Sequence, residues 1–153
     1  MLIKEHTASF LTFKLDNEVF AINVNKVLEI LEMKPITKAP KAPAFMKGVV
    51  NLRGNILPVV DTRNKFGMAE IPFTIDTCIV VLNIDTGNES LLVGAIVDSV
   101  QEVIEISEEK IQPAPGIGIG FKEEFIKGMG KLDESFVMIL NIDKVFSVEN
   151  NFN

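Results

Sequence analysis

The sequence predicts a mainly β protein built as two small five-stranded β-barrel lobes packed together, with short helices between strands. Three observations predict it. Apolar runs are short and broken by turn residues, none long enough for a buried helix. The chain of 153 residues is 47% apolar and 24% charged, enough for one domain or two very small ones sharing a core. And the chain repeats itself: FMKGVVNLRGNILPVVDTRNKF, residues 45–66, aligns without a gap on FIKGMGKLDESFVMILNIDKVF, residues 125–146. Phe45, Lys47, Gly48, Leu52 and Phe66 recur as Phe125, Lys127, Gly128, Leu132 and Phe146. FAINVNKVLEI (20–30) likewise lies over VGAIVDSVQEV (93–103), and ITKAP (36–40) over IQPAP (111–115). A repeated unit of short strands implies two similar lobes, and closing each into a small barrel hides its edges. The lobe boundary is expected near residue 70, giving lobes at 9–70 and 71–148 within one domain spanning 1–153. A terminal strand crossing between lobes is left open.

In chain order, residues 1–8 carry no pattern. Ser9 to Leu15 alternates as a strand, Asp16-Asn17-Glu18 turns it, and Val19 to Ile22 returns. Val24, Val27, Leu28 and Leu31 then recur at helical spacing behind Asn23, which predicts a two-turn helix. Residues 36–43, with two prolines, form an extended connector. Val49 to Leu52 and Ile56 to Val60 flank Arg53-Gly54-Asn55, where Gly-Asn signals a two-residue hairpin turn. Pro58 cannot donate to a ladder, so its strand is expected at an edge or a bulge. Asp61 can cap a short turn ending at Gly67, and a linker containing Pro72 follows. Thr77 to Asn83 and Leu91 to Val97 are strands joined by IDTGNES, and Val97 to Val103 has mixed period. Ser107 opens a helical turn, PAPGIGIGF is a loop, Phe125 to Leu132 and Phe136 to Leu140 form a last hairpin, and Asn141 caps a short closing helix.

Composition excludes several classes of function. A net charge of −6 with no Lys/Arg cluster disfavours nucleic acid and anionic membrane surfaces as partners, and with them an RNA-binding barrel. No apolar run reaches the roughly 18 residues of a membrane span, and the first ten residues lack a signal-peptide core. Cys78 is the only cysteine, so no internal disulfide forms; in the run TCIVVLN it reads as a small buried hydrophobe in a cytoplasmic protein.

The chemistry of an enzyme is missing. Asp85-Thr86-Gly87 matches the tripeptide that carries the carboxylate of aspartic proteases, and a bilobed β protein makes that alternative worth stating. A second such aspartate is required, the other repeat lacks one, and Asp-Thr-Gly is good turn chemistry. Gly116, Gly118 and Gly120 alternate without the spacing of a phosphate cradle. His6, the single histidine, supports neither a catalytic relay nor a metal site, and no cofactor is expected. Asn88-Glu89-Ser90 is a sequon with no secretion signal to support it.

Arg53 remains. The second repeat turns the same hairpin with Asp133-Glu134-Ser135, so turn formation does not require the arginine. Glu29 is a plausible carboxylate partner; an ordinary intramolecular salt bridge and a docking role both stay open.

The stretch FMKGVVNLRGNILPVVDTR, above all Gly48, Asn51-Leu52-Arg53-Gly54, Pro58 and Asp61, resembles the CheW family of bacterial chemotaxis adaptors. FAINVNKVLEI, ITKAPKAP, VGAIVDSVQEV and IQPAP support the resemblance, which runs from about Phe10 to Val148. It implies two SH3-like barrels around a shared apolar interface and no catalysis. It implies partners as well: a CheA-type histidine kinase, through a regulatory domain of the same fold, and the cytoplasmic hairpin tip of a transmembrane chemoreceptor, lying in the groove between lobes. By resemblance Val27, Glu29 and Ile30 stand at the end of the first helix beside that groove. The resemblance also implies that Arg53 is linked to receptor and kinase coupling, that Gly48, Asn51 and Gly54 frame it, and that Val97 and Val100 match groove positions from the second lobe. Thr62 departs from the family, which commonly has Leu there.

Overall fold

A computed structural model describes residues 6–114 and 123–146; the glycine-alternating loop at 116–120 lies outside the described residues. Ten strands form two five-stranded sheets. β1 (Thr7–Leu15), β2 (Glu18–Asn23), β8 (Ser99–Ser107), β9 (Ile126–Leu132) and β10 (Ser135–Leu140) make one, in the order β8-β1-β2-β10-β9. β3 (Val27–Glu32), β4 (Met46–Leu52), β5 (Asn55–Asp61), β6 (Cys78–Asp85) and β7 (Ser90–Val97) make the other, in the order β3-β6-β7-β5-β4.

The two orders are one order. Replacing β1–β5 by β6–β10, and the reverse, converts either sheet into the other. Each sheet therefore takes two strands from one repeat and three from its twin. The connector at 68–76 separates the repeats, but strand pairing does not follow a division there: the first sheet draws on both ends of the chain. Registers repeat as well. Val59 lies beside Gly94 in the parallel β5–β7 ladder, and Ile139 beside Ala21 in the parallel β10–β2 ladder.

Packing follows the pleat. Side chains on one face of each sheet close a small private core: Val50, Leu57, Val59, Ile79, Val81 and Ile96 in one, Phe10, Ala21, Ile106, Val137 and Ile139 in the other. The opposite faces meet across a larger shared core containing Phe13, Phe20, Val80, Leu82, Ala95, Val97, Leu140 and Phe146. Neither private core is large enough for independent stability in so few residues, so the shared one makes the two sheets a unit.

Three local expectations change. The helix expected over Val24–Leu31 is a single 3-10 turn, Val24–Lys26, followed by strand β3. Asn23 caps that turn, its side chain accepting the Asn25 N–H at 2.9 Å. Beyond it the chain pairs antiparallel with β6, which satisfies its backbone, and burial alternates residue by residue, so period two overrides the helical spacing. Pro58 is in an interior strand, with no bulge at its position: Val49, opposite it, exchanges its backbone hydrogen bonds with Thr37 instead (2.8 and 2.9 Å). The β7 ladder begins only at Val59, so the missing N–H leaves no bond unmade. And the mixed-period stretch after Val97 is the long edge strand β8.

The short helices behave as their caps suggest. Asp61 accepts the Arg63 N–H (3.0 Å) to start α1 (Thr62–Lys65), and Asn141 caps α2 (Ile142–Val145). Each also anchors a corner where the chain passes between sheets. From α1, the buried Arg63 guanidinium donates to Asp98 (2.6 Å) at the β7–β8 corner and to the Ala69 carbonyl (2.7 Å), and lies 2.7 Å from Asp16 in the β1–β2 turn. From α2, Asp143 accepts from Lys26 (2.9 Å) at the β2–β3 corner and from the Asp85 N–H (2.8 Å). Arg63 and Asp143 are equivalent positions of the repeat.

Candidate functional site

The β4–β5 hairpin projects Arg53. Leu52 pairs with Asn55, so the two turn residues are Arg53 and Gly54, one position earlier than Gly-Asn suggests. Both have positive φ, +49° and +87°, as a primed turn matching strand twist requires. Gly54 adopts this freely, whereas an arginine there carries a backbone cost of about 1–2 kcal/mol. Asn51 offsets part of it by accepting the Gly54 N–H at 2.7 Å. At the strand's start Gly48 is buried with φ +148°, and a Cβ there would sit 2.1 Å from the Thr37 carbonyl oxygen. Gly48, Asn51 and Gly54 thus shape the hairpin.

The guanidinium of Arg53 meets Glu29 of β3 in a two-pronged pair: Nη1 donates to Oε1 at 3.1 Å and Nη2 to Oε2. The Arg53 hydrogen bond holds the Glu29 carboxyl below its usual range and, reciprocally, raises the arginine's own pKa. The pair is a surface feature, since the Arg53 side chain is 67% exposed. Beside it Lys34 donates to the Asn51 carbonyl at 2.7 Å, covering the free edge of β4. Lys34, Pro35, Val49, Arg53 and Ile56 border an open groove of about 780 Å³.

The predicted site residues separate into three groups. Ile30 is 46% exposed on β3 and pairs with Val80, so it belongs to the inter-sheet face but overhangs its edge. Val27 and Val100 are half-buried and rest on the shared core. Val97 is buried in that core, which removes it from any docking surface: it points between the sheets, where period two puts it. Val27, Glu29 and Ile30 stand on a strand, not at a helix end. Among the exposed apolar residues that sequence did not single out are Leu28, Val103 and Ile56. Val103 could have been found through the repeat, where it aligns with Ile30.

Cys78 bridges the sheets at this edge. Its strand pairs with Glu32 and Val97, and burial, the leading cause, pushes the thiol's pKa up while the Val100 backbone hydrogen-bonds to it. The thiol is half-buried against the shared core, not fully buried as its apolar run suggests. Asp85 spends its carboxylate on the Gly87 N–H (2.8 Å) within its own turn. Among the described residues no cluster of three or more His, Cys, Asp or Glu could hold a metal ion, and no helix is long and apolar enough to cross a membrane.

Comparison with known proteins agrees with this geometry. Residues 9–150 match the family model of the CheW-like domain. The chain is 36% identical to the chemotaxis protein CheW of Klebsiella aerogenes over 92% of its length and 82% of the relative's. It is 33% identical to that of Rhizobium meliloti over 91% and 87%. The crystal structure of the scaffolding protein TtCheW from Thermoanaerobacter tengcongensis superposes with a TM-score of 0.83 at 31% identity, covering 95% of this chain and 91% of that one. With two sheets built from one repeated unit and a match along nearly its whole length, the chain belongs to the CheW family of non-catalytic chemotaxis scaffold and adaptor proteins.

Proposed function

We propose that this adaptor couples a CheA-type histidine kinase, through its regulatory domain, to the cytoplasmic hairpin tips of transmembrane chemoreceptors, and that it acts in the cytoplasm, recruited to the membrane-associated receptor array. The observation that carries the reading is Arg53: an exposed arginine held at positive φ, where the equivalent hairpin uses an aspartate. A costly conformation kept at an exposed tip points to function more than to folding. The apolar residues Ile30, Val27 and Val100 supply an anchor for an apolar stripe of a receptor helix, with Leu28 extending it along β3. Glu29 and Arg53 set orientation at the rim, where charges tune specificity and encounter more than affinity. Gly48, Asn51 and Gly54 act through the hairpin's shape. Each contact is expected to be weak alone, with assembly supplying avidity. Neither nucleic acid nor direct membrane insertion has a place in this reading, given the net charge of −6.

The test is Arg53→Ala in a reconstituted kinase–receptor assay. The expected outcome is an unfolding midpoint close to the parent's and a marked loss of receptor-dependent kinase activation. Normal activation with a lowered midpoint would make the Arg53–Glu29 pair a structural tie and remove the docking role. Pull-down with a CheA-like kinase and a receptor fragment tests the two partners separately.

A further inference from the structure

The two corner clamps carry opposite polarity, and the pattern has a consequence for pairing. The first repeat, β1 to α1, contributes both cations, Lys26 and Arg63. The second, β6 to α2, contributes the anions that receive them, Asp143 and Asp98. Each sheet needs strands from both repeats, and their strand orders and registers are equivalent. Backbone alone therefore does not distinguish a first repeat pairing with a second from two first repeats, or two second repeats, of different chains pairing with each other.

We infer that the clamps are a charge code that admits only unlike repeats. In the native pairing both clamps attract. If two first repeats joined, Arg63 of α1 would face a corner where Asn25 stands in the place of Asp98 and Lys26 follows it. If two second repeats joined, Asp143 of α2 would face a corner where Ser99 stands in the place of Lys26 and Asp98 precedes it. Both alternatives remove the counter-ion and bring a like charge within one residue of its place, in one case beside a guanidinium whose side chain is only 7% exposed. Like charges with little water between them repel strongly. Asp16 softens the first case, since it comes from the same repeat as Arg63 and lies 2.7 Å from it, but it leaves the place of Asp98 without a carboxylate. Specificity by building repulsion into the wrong partner is the device that sets pairing in coiled coils. Here the right partner is the other half of the chain, and the rejected one is the matching half of a second copy.

An ordinary structural salt bridge and a pairing code predict different things. In full-length Lys26→Asp/Asp143→Lys, the more exposed clamp is reversed, so the native fold retains an attractive pair at both corners. Yet each repeat then carries one charge of each sign, and like repeats become complementary. After unfolding and refolding at a series of protein concentrations, light scattering should find a larger share of this variant than of the parent at twice the monomer mass and above. The Arg63→Asp/Asp98→Arg reversal, in an Asp16→Asn background because Asp16 lies 2.7 Å from Arg63, should behave the same way. Combining all four clamp substitutions in that background restores one sign per repeat and should return the parent's mass distribution. A one-clamp reversal that folds, with an unfolding midpoint near the parent's but an unchanged mass distribution, overturns the inference. So does a four-substitution chain that oligomerises as the one-clamp reversals do.

Discussion

The first repeat and the second share a backbone and differ in what they present. At the hairpin tips Arg53 and Asp133 have almost the same φ, +49° and +54°, and Leu52–Asn55 and Leu132–Ser135 pair alike. Aspartate suits a left-handed position and arginine does not. Glu29, which receives Arg53, has Glu102 as its counterpart, so the second repeat would set a carboxylate against a carboxylate. The difference teaches that the scaffold needs the turn twice but the ion pair once. An asymmetric adaptor surface has been written onto a symmetric frame by changing side chains at equivalent sites.

The comparison breaks most severely at the glycines that begin β4 and β9. A Cβ at Gly48 would meet backbone, the Thr37 oxygen at 2.1 Å, with φ already at +148°. A Cβ at Gly128 would meet the Ile111 methyl at 2.5 Å and the Gln112 oxygen at 3.0 Å. Both connectors are held by paired backbone hydrogen bonds, Thr37 with Val49 and Gln112 with Met129, so the difference lies in what is met first: fixed backbone at Gly48, a methyl that can rotate away at Gly128. Urea unfolding should show Gly48→Ala losing about 3 kcal/mol or more and Gly128→Ala about 1–2 kcal/mol. Equal losses would mean that the two connectors yield alike.

A smaller effect, of opposite sign, is expected at Thr62. Its counterpart in α2 is Ile142, buried and apolar. Thr62 is equally buried, and its hydroxyl has no hydrogen-bond partner among the described residues. Thr62→Val keeps the shape and removes the orphan group, so it should stabilise by about 1 kcal/mol. A lower unfolding midpoint would show that the hydroxyl is satisfied after all. The resemblance to a family that commonly has Leu there agrees with the direction.

Much of this frame was legible because a repeat constrains what local propensity does not. The aligned segments gave two equivalent sheets, the hairpins with their short tips, and both helix caps, Asp61 and Asn141. Strand exchange was not legible: alignment says which segments are alike, not which lie together, and nothing in β1 or β2 names β8 and β10 as neighbours. Val24, Val27, Leu28 and Leu31 misled because three- and four-residue spacing is also what a 3-10 turn followed by an edge strand produces. Of the site, Arg53 and Glu29 were readable as an unexplained charge and its possible partner. Val97 was not separable from the half-buried Val100, since the two faces of a strand differ only by one residue of phase. Arg63 escaped notice because its partners lie 35 and 47 positions away. Its trace was nonetheless present, in the alignment of Arg63 with Asp143.

The mildest expected effect concerns protonation at the tip. Glu29 titrates below an ordinary carboxyl because Arg53 hydrogen-bonds to its charged form. A group whose folded pKa lies below its unfolded value adds stability above the unfolded value, and that contribution disappears as pH falls through the lowered one. The contribution is small at so exposed a pair, where solvent and salt screen the charges. It is better followed by the side-chain carboxyl resonance of Glu29 than by unfolding. Arg53→Gln should move that titration upward, toward an ordinary glutamate, and added salt should move the parent's in the same direction. If Glu29 failed to respond, its pairing with Arg53 would carry no electrostatic weight, and the asymmetry of the tips would lie in the shape of the arginine and not in its pairing.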